Sequence, residues 1–129
     1  MNRIAVGFRI LVIDDEALIR WSISENLEAH GHTLMQADDA ASAVEALRDP
    51  AELPDVVVVD YRLPDSRDLT LLRTIRRLAP HAAIVMMTAF GTPEMVKEAL
   101  ELGAHRVISK PFDLAQLAAL VDEAYDARS

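Results

Sequence analysis

Val56-Val57-Val58-Val59-Asp60 is the stretch on which the fold turns. Four successive β-branched residues leave no polar face, so the run does not suit a strand with one side in water. It suits a central strand covered on both faces, the pattern of a parallel sheet. Working outward, residues 8–13 and 83–87 are similar short apolar runs, while Thr33–Ala37 and Arg106–Ser109 are weaker strand candidates. Segments of helical period lie between them. Residues 17–30 carry Ile19, Ile23 and Leu27 at four-residue steps and are closed by Gly31. Ala40, Ala43, Val44 and Leu47 recur at helical spacing behind Asp38 or Asp39 as N-cap, and Pro50 and Pro54 bracket the loop that follows. Residues 68–78 turn Leu71, Leu72, Ile75 and Leu78 inward, with Pro80 beyond the stop. Thr92-Pro93 opens a helix to Leu102 that Gly103 ends. Asp113 caps a last helix whose Leu117, Leu120, Val121 and Ala124 face inward.

The order is therefore (βα)5, without repeats or linkers. Right-handed crossovers then give a parallel sheet covered on both faces, a doubly wound α/β three-layer sandwich. The common strand order for five such strands is 2-1-3-4-5, the flavodoxin-like arrangement, with its switch point between strands one and three. A single domain over residues 1–129, with its core at about 8–127, is expected.

Composition narrows the function. The 129 residues are 51% hydrophobic and 26% charged, which excludes a disordered chain, and the absence of cysteine removes disulfides, thiolate metal sites and cysteine nucleophiles. Thirteen Lys and Arg against 21 Asp and Glu give a net charge of −8, and the arginines are scattered. Direct nucleic-acid binding is disfavoured on that balance. No apolar run approaches the ~20 residues of a membrane span, and residues 1–7 lack a signal-peptide pattern. A cytoplasmic protein without membrane contact is the expectation.

The strand ends carry the chemistry. Strand one ends in Asp14-Asp15-Glu16, strand three in Asp60, strand four in Thr88-Ala89 and strand five in Lys110-Pro111. In a parallel sheet these ends share one edge. Singly, an acidic pair is an N-cap, an aspartate a turn former, a threonine a strand residue and a lysine a surface charge. Together, four of the five strands deliver matching groups to one place. Crowded carboxylates require a proton or a cation between them, and hard oxygens without His or Cys select Mg²⁺. A carboxylate attacking phosphorus would form an aspartyl phosphate, with Lys110 and Thr88 answering the charge on its oxygens.

On these residues the chain resembles a bacterial response-regulator receiver domain along nearly its whole length. The matching stretches are 10–16 (ILVIDDE), 56–64 (VVVVDYRLP), 86–91 (MMTAFG) and 110–113 (KPFD). The resemblance implies that Asp60 is the phosphoacceptor and Asp15 a direct Mg²⁺ ligand. It further implies that Asp14 assists through water, that the Arg62 backbone carbonyl completes the metal shell, and that Thr88 and Lys110 hold the phosphoryl group. A cis Lys110-Pro111 bond and a sensor histidine kinase as phosphodonor are implied too. Residues 17–24 (ALIRWSIS) and 87–92 (MTAFGT) are similar to receivers of the NtrC class of transcription regulators. In that class an ATPase domain and a helix-turn-helix domain follow the receiver. Neither lies in these 129 residues, so a receiver separated from its output domain, or one that works alone, is expected.

Three departures from the family pattern stand out. Val107 occupies the strand-five position where Tyr or Phe usually reports the state of the site. The loop after Asp60 reads Pro64-Asp65-Ser66-Arg67-Asp68 in place of Pro-Gly-x-x-Gly, with Asp68 a candidate N-cap for helix three. Arg62 and Phe90, with Ala89 between Thr88 and Phe90, occupy variable positions beside the phosphoryl site, as surface variation or as a shield against water. The face of helix four, strand five and helix five (Met95, Ala99, Val107, Ala115, Ala119) is a candidate homodimer or partner surface, or ordinary packing. The four histidines are read as surface residues and Trp21 as half-buried core.

The lead reading is a phosphorylation switch. The alternative is a receiver-like interaction module that works without phosphorylation, suggested by Val107 and the Asp68 loop. A phosphatase of the haloacid dehalogenase kind would need a DxD nucleophile strand, and a nucleotide-binding protein a GxGxxG or GxxxxGK[ST] loop. Neither pattern is present.

Overall fold

A computed structural model describes residues 7–128. Strands β1 (Arg9–Ile13), β2 (Thr33–Ala37), β3 (Val56–Asp60), β4 (Ala83–Thr88) and β5 (Arg106–Ser109) alternate with helices α1 (Ala17–Ala29), α2 (Ala40–Ala46), α3 (Thr70–Leu78), α4 (Pro93–Glu101) and α5 (Leu114–Ala127). A single 3₁₀ turn, Pro50–Glu52, occupies the loop between the two prolines. All pairings are parallel and the order is β2-β1-β3-β4-β5, as expected.

The valine run explains itself in this sheet. Every residue of β3 is buried. Val57 and Val59 point to a core shared with Leu47, Leu72, Ile75 and Ala99, under α2, α3 and α4. Val56 and Val58 point to a second core with Ile23, Leu27, Leu117 and Val121, under α1 and α5. Alternate residues of Val56–Val59 thus fill two cores, which leaves the first polar side chain to Asp60 at the carboxyl end of the strand.

The helix ends follow their sequence signals. Asp39, Thr92 and Asp113 accept from the amides of Ser42, Met95 and Ala115. Gly31 (φ 93°) and Gly103 (φ 108°) take the left-handed conformation that stops α1 and α4. Arg76 of α3 braces the next connection: its Nη2 donates to the carbonyls of Ala79, Pro80 and Ala82, and its Nη1 to that of Gly103.

Three expectations are corrected. α3 begins at Thr70; Leu69 takes the cap position, and Asp68 stands one residue earlier, accepting from the Thr70 amide at 2.9 Å. Trp21 is 57% exposed and not part of the core. His32 is not a surface histidine: its side chain is 7% exposed, it packs on Phe8, and its Nδ1 accepts from the Phe8 amide. Of the candidate α4–β5–α5 face, Ala99 is fully buried on the inner side of α4, the ordinary packing that the sequence also allowed, whereas Ala115 and Ala119 are exposed.

Candidate functional site

Because the sheet is parallel, the carboxyl ends of β1, β3, β4 and β5 lie along one edge. Asp14 follows β1, Asp60 and Thr88 end β3 and β4, and Lys110 follows β5. Asp14, Asp60 and Thr88 are buried there, while Asp15 and Glu16 face solvent. Carboxylate oxygens of Asp14, Asp15 and Asp60 lie within 4.8 Å of one another. Lys110 Nζ sits among them, donating to Asp60 Oδ2 and Asp14 Oδ2 at 3.0 Å each and to Glu16 Oε1 at 3.2 Å.

Each group is held from behind. Asp14 Oδ1 accepts the Glu16 amide at 2.9 Å, and Arg20 donates to the Asp14 carbonyl at 2.7 Å. Asp60 Oδ1 accepts the Arg62 amide at 3.2 Å. Thr88 Oγ1 accepts the Phe90 amide at 3.3 Å, and the Lys110 amide donates to the Thr88 carbonyl, tying β4 to the lysine. The Lys110-Pro111 bond is cis.

The charges do not balance. Burial raises the Asp60 carboxyl above its ordinary value; the hydrogen bond from Lys110 opposes this and the charge of Asp14 adds to it. Burial alone would lower the Lys110 ammonium, but its hydrogen bonds to Asp60 and Asp14 outweigh it and hold the group above its ordinary value. Among the described residues, Asp14, Asp15, Asp60 and Glu16 bring four carboxylates to this edge against the one ammonium of Lys110. Three hard-oxygen donors with surplus negative charge suit a divalent cation such as Mg²⁺.

A profile of the response regulator receiver domain matches residues 10–122, which takes in every residue of this edge. The chain belongs to that family. Among receiver-containing relatives, it is 33% identical to the DNA-binding transcriptional regulator NtrC of Escherichia coli over 89% of this chain and 24% of that protein. It is 34% identical to the chemotaxis protein CheY of Bacillus subtilis, over 83% of this chain and 88% of the other. The crystal structure of a CheY-like receiver domain protein from Methanospirillum hungatei superposes with a TM-score of 0.87 at 27% identity, covering 94% and 95% of the two chains. The chain thus spans about a quarter of the NtrC relatives and most of CheY. Receivers hold Mg²⁺ at an acidic pocket, and the Asp14, Asp15 and Asp60 cluster has that character.

The remaining predicted positions lie in the loops after β3 and β4 and in β5. Arg62 is exposed and, with Asp15, Leu63, Pro64 and Arg67, lines an open cleft of about 300 Å³. Ala89 is exposed beside Lys110 and Pro111 in an apolar groove of about 530 Å³ that also takes in Leu18, Ile19 and Phe112. The Phe90 ring is 83% exposed and covers little of the site as it stands. Val107 is half-buried and packs into the core beneath α4, alongside Met95. Leu63 and Ser66 exchange backbone hydrogen bonds in the loop after Asp60, and among the described residues only glycines take positive φ. The loop therefore carries no left-handed aspartate and closes instead through the Leu63–Ser66 pair. Two participants escaped the sequence. Glu16 shares Lys110 with the buried pair, a role its position directly after Asp14-Asp15 could have signalled. Asp65 reaches the amides of Ala40 and Ala41, 25 and 24 residues away, and no spacing rule announces it.

Proposed function

We propose that this chain works as a Mg²⁺-dependent phosphorylation switch with Asp60 as acceptor. A single receiver unit with its core at about residues 8–127 carries the reaction. The observation that supports it most is Lys110 Nζ bridging Asp60 and Asp14 at 3.0 Å within a cluster of carboxylates. The nucleophile, its counter-charge and a cation site are assembled at one point. An Asp60 carboxylate oxygen bonds to phosphorus as the bond to the imidazole nitrogen of a sensor kinase phosphohistidine breaks. The electron pair stays on that nitrogen, and the proton carried by the other ring nitrogen of the phosphohistidine lets the leaving group depart as neutral imidazole. Lys110 and the Thr88 hydroxyl face the phosphoryl oxygens, where fixed donors act most strongly in a site shielded from water. Held directly by Asp15, Asp60 and the Arg62 carbonyl and through water by Asp14, Mg²⁺ would neutralise charge on the transferred group.

The product changes the charge and shape of the edge, which then alters binding elsewhere on the domain. The partners proposed are the kinase, an output domain or downstream protein, and a second copy through the α4–β5–α5 face. The similarity to NtrC supports a transcriptional output, and the similarity to CheY supports a receiver that acts on a separate downstream protein. In either arrangement the chain is regulatory, catalysing only its own phosphorylation and dephosphorylation. No helix among the described residues is long and apolar enough to cross a membrane, in keeping with a cytoplasmic site of action.

Intact mass after incubation with Mg²⁺ and acetyl phosphate tests the reading. Wild type should gain one phosphoryl group and Asp60→Asn none. Beryllofluoride with size exclusion on the same samples reads the switch. Failure of both labelling and beryllofluoride binding would overturn the proposal in favour of an interaction module that needs no phosphorylation.

A further inference from the structure

Helix α2 has only seven residues, too short to persist without help at its ends. Its amino-terminal amides are nevertheless all answered. Asp39 takes the Ser42 amide through its side chain at 2.7 Å and the Ala43 amide through its carbonyl at 3.1 Å. The first two amides go to a residue far along the chain: Asp65 Oδ1 accepts from Ala40 at 2.8 Å and Oδ2 from Ala41 at 3.0 Å. Both carboxylate oxygens are used, so the side chain is fixed in orientation as well as position.

The same aspartate lies inside the loop that leaves Asp60. From Tyr61 to Leu63 every backbone amide has a partner: Met87 carbonyl for Tyr61, Asp60 Oδ1 for Arg62, and Ser66 carbonyl for Leu63. Leu63 and Ser66 close a tight turn around Pro64-Asp65, and Asp68 accepts the Thr70 amide where α3 begins. Within this turn Leu63 packs into the core under α2 and α3, and Asp65 adds side-chain hydrogen bonds that reach α2. Without glycine the turn cannot use left-handed backbone to set its path, so a tertiary anchor sets it.

We propose that Asp65 is a positioning residue for the acidic site, clamping the β3–α3 loop to α2 so that the Arg62 peptide is held against Asp60 where the cation is to bind. This rests on the reading of Asp14, Asp15 and Asp60 as a metal-assisted phosphoacceptor site. Asp65 touches neither the cation nor the phosphoryl group; it acts through Leu63 and Pro64, the two residues that separate it from Arg62.

Calorimetric titration with MgCl₂ alone, with no phosphodonor, tests it alongside thermal melting and acetyl phosphate labelling. Asp65→Ala should weaken Mg²⁺ binding about tenfold, at the low end of what losing an outer support costs a metal site, and slow labelling in parallel. Asp65→Asn keeps one carbonyl acceptor and should fall between; it carries the test if the alanine variant does not fold. Asp39→Ala is the structural control, because it removes a cap from the same helix end without touching the loop. It should lower the melting temperature and leave Mg²⁺ affinity at the wild-type value. The proposal is overturned if Asp65→Ala binds Mg²⁺ as wild type does, or if Asp39→Ala loses affinity to the same degree. Absence of Mg²⁺ binding by wild type would instead remove the functional reading on which it stands.

Discussion

Two connections leave the reactive edge beside the same carboxylate, and they are built on opposite plans. The segment after Asp60 is tied down by a two-way backbone bridge at Leu63 and Ser66, by Asp65 on α2, and by Asp68 on α3. The segment after Thr88 is short and open: Phe90 is 83% exposed, its amide turns back on Thr88, and Thr92 caps α4. One side is fixed by hydrogen bonds that reach two neighbouring helices, the other by bonds to residues close by in sequence. Positioning and response are thereby separated. A metal and a nucleophile need a rigid frame, while a change transmitted toward α4 needs a segment that can afford to move.

The largest expected effect tests the rigid side. Lys110→Met removes the cation that joins Asp14, Asp60 and Glu16, and labelling by acetyl phosphate should slow by about 10²–10³-fold, the cost of losing one preorganised charge-stabilising donor. A rate within a few-fold of wild type would show that the frame does not depend on the lysine.

Gly91→Ala probes the open side next. A Cβ at Gly91 would lie 2.9 Å from the Thr88 Cγ2 methyl and 3.3 Å from Met95 Cε. Threonine is stiff at χ1, so the clash should cost about 1–3 kcal/mol and turn the Thr88 hydroxyl away. Chemical denaturation reads the first effect and labelling rate the second. Unchanged values for both would mean that this segment is looser than its packing around Gly91 implies.

Asp60→Asn sharpens the comparison through pH. The Asp60 carboxyl is raised in the folded state, so its stabilising contribution is complete below the ordinary value of 3.8 and lost as pH rises through the folded value. At neutral pH the ionised group therefore works against folding. The carboxamide carries no such charge, so Asp60→Asn should melt a few degrees above wild type at pH 7 and lose that advantage as pH falls toward 4. A lower melting temperature at pH 7 would show that the ion pair with Lys110 outweighs burial.

The smallest structural effect is expected at Phe90. Phe90→Ala should change stability by less than about 0.5 kcal/mol, since its ring contacts so little. It should still shorten the lifetime of the aspartyl phosphate if the open segment brings the ring over the phosphoryl group after transfer. An unchanged lifetime, followed by loss of label in intact mass, would remove the shielding role.

The legible part of this molecule is the part written in periodicity. The valine run, the helical stripes and the capping residues lead to the strand order, and the strand ends then lead to the shared edge. Trp21 was misplaced although the stripe of Ile19, Ile23 and Leu27 already set the buried side of α1. A residue two positions from Ile19 and Ile23 lies near the opposite side of the helix. Ala99 stays open between partner face and ordinary packing in the sequence, because helical spacing does not say which small residue of α4 faces the core. His32 and Asp65 were missed for a third reason. Each answers a backbone amide remote in sequence, Phe8 for one and Ala40 and Ala41 for the other, and such pairings leave no spacing to read.

Trp21 has a consequence of another kind. It is the one tryptophan of the chain and stands 57% exposed on α1, one turn from Leu18 at 74%. An indole already in water emits at long wavelength, so unfolding should move its emission peak very little. A partner that covers this side of α1 should shift the peak to shorter wavelength. The molecule thus carries a native optical probe whose colour is nearly blind to its own folding and sensitive to whatever lies on its first helix.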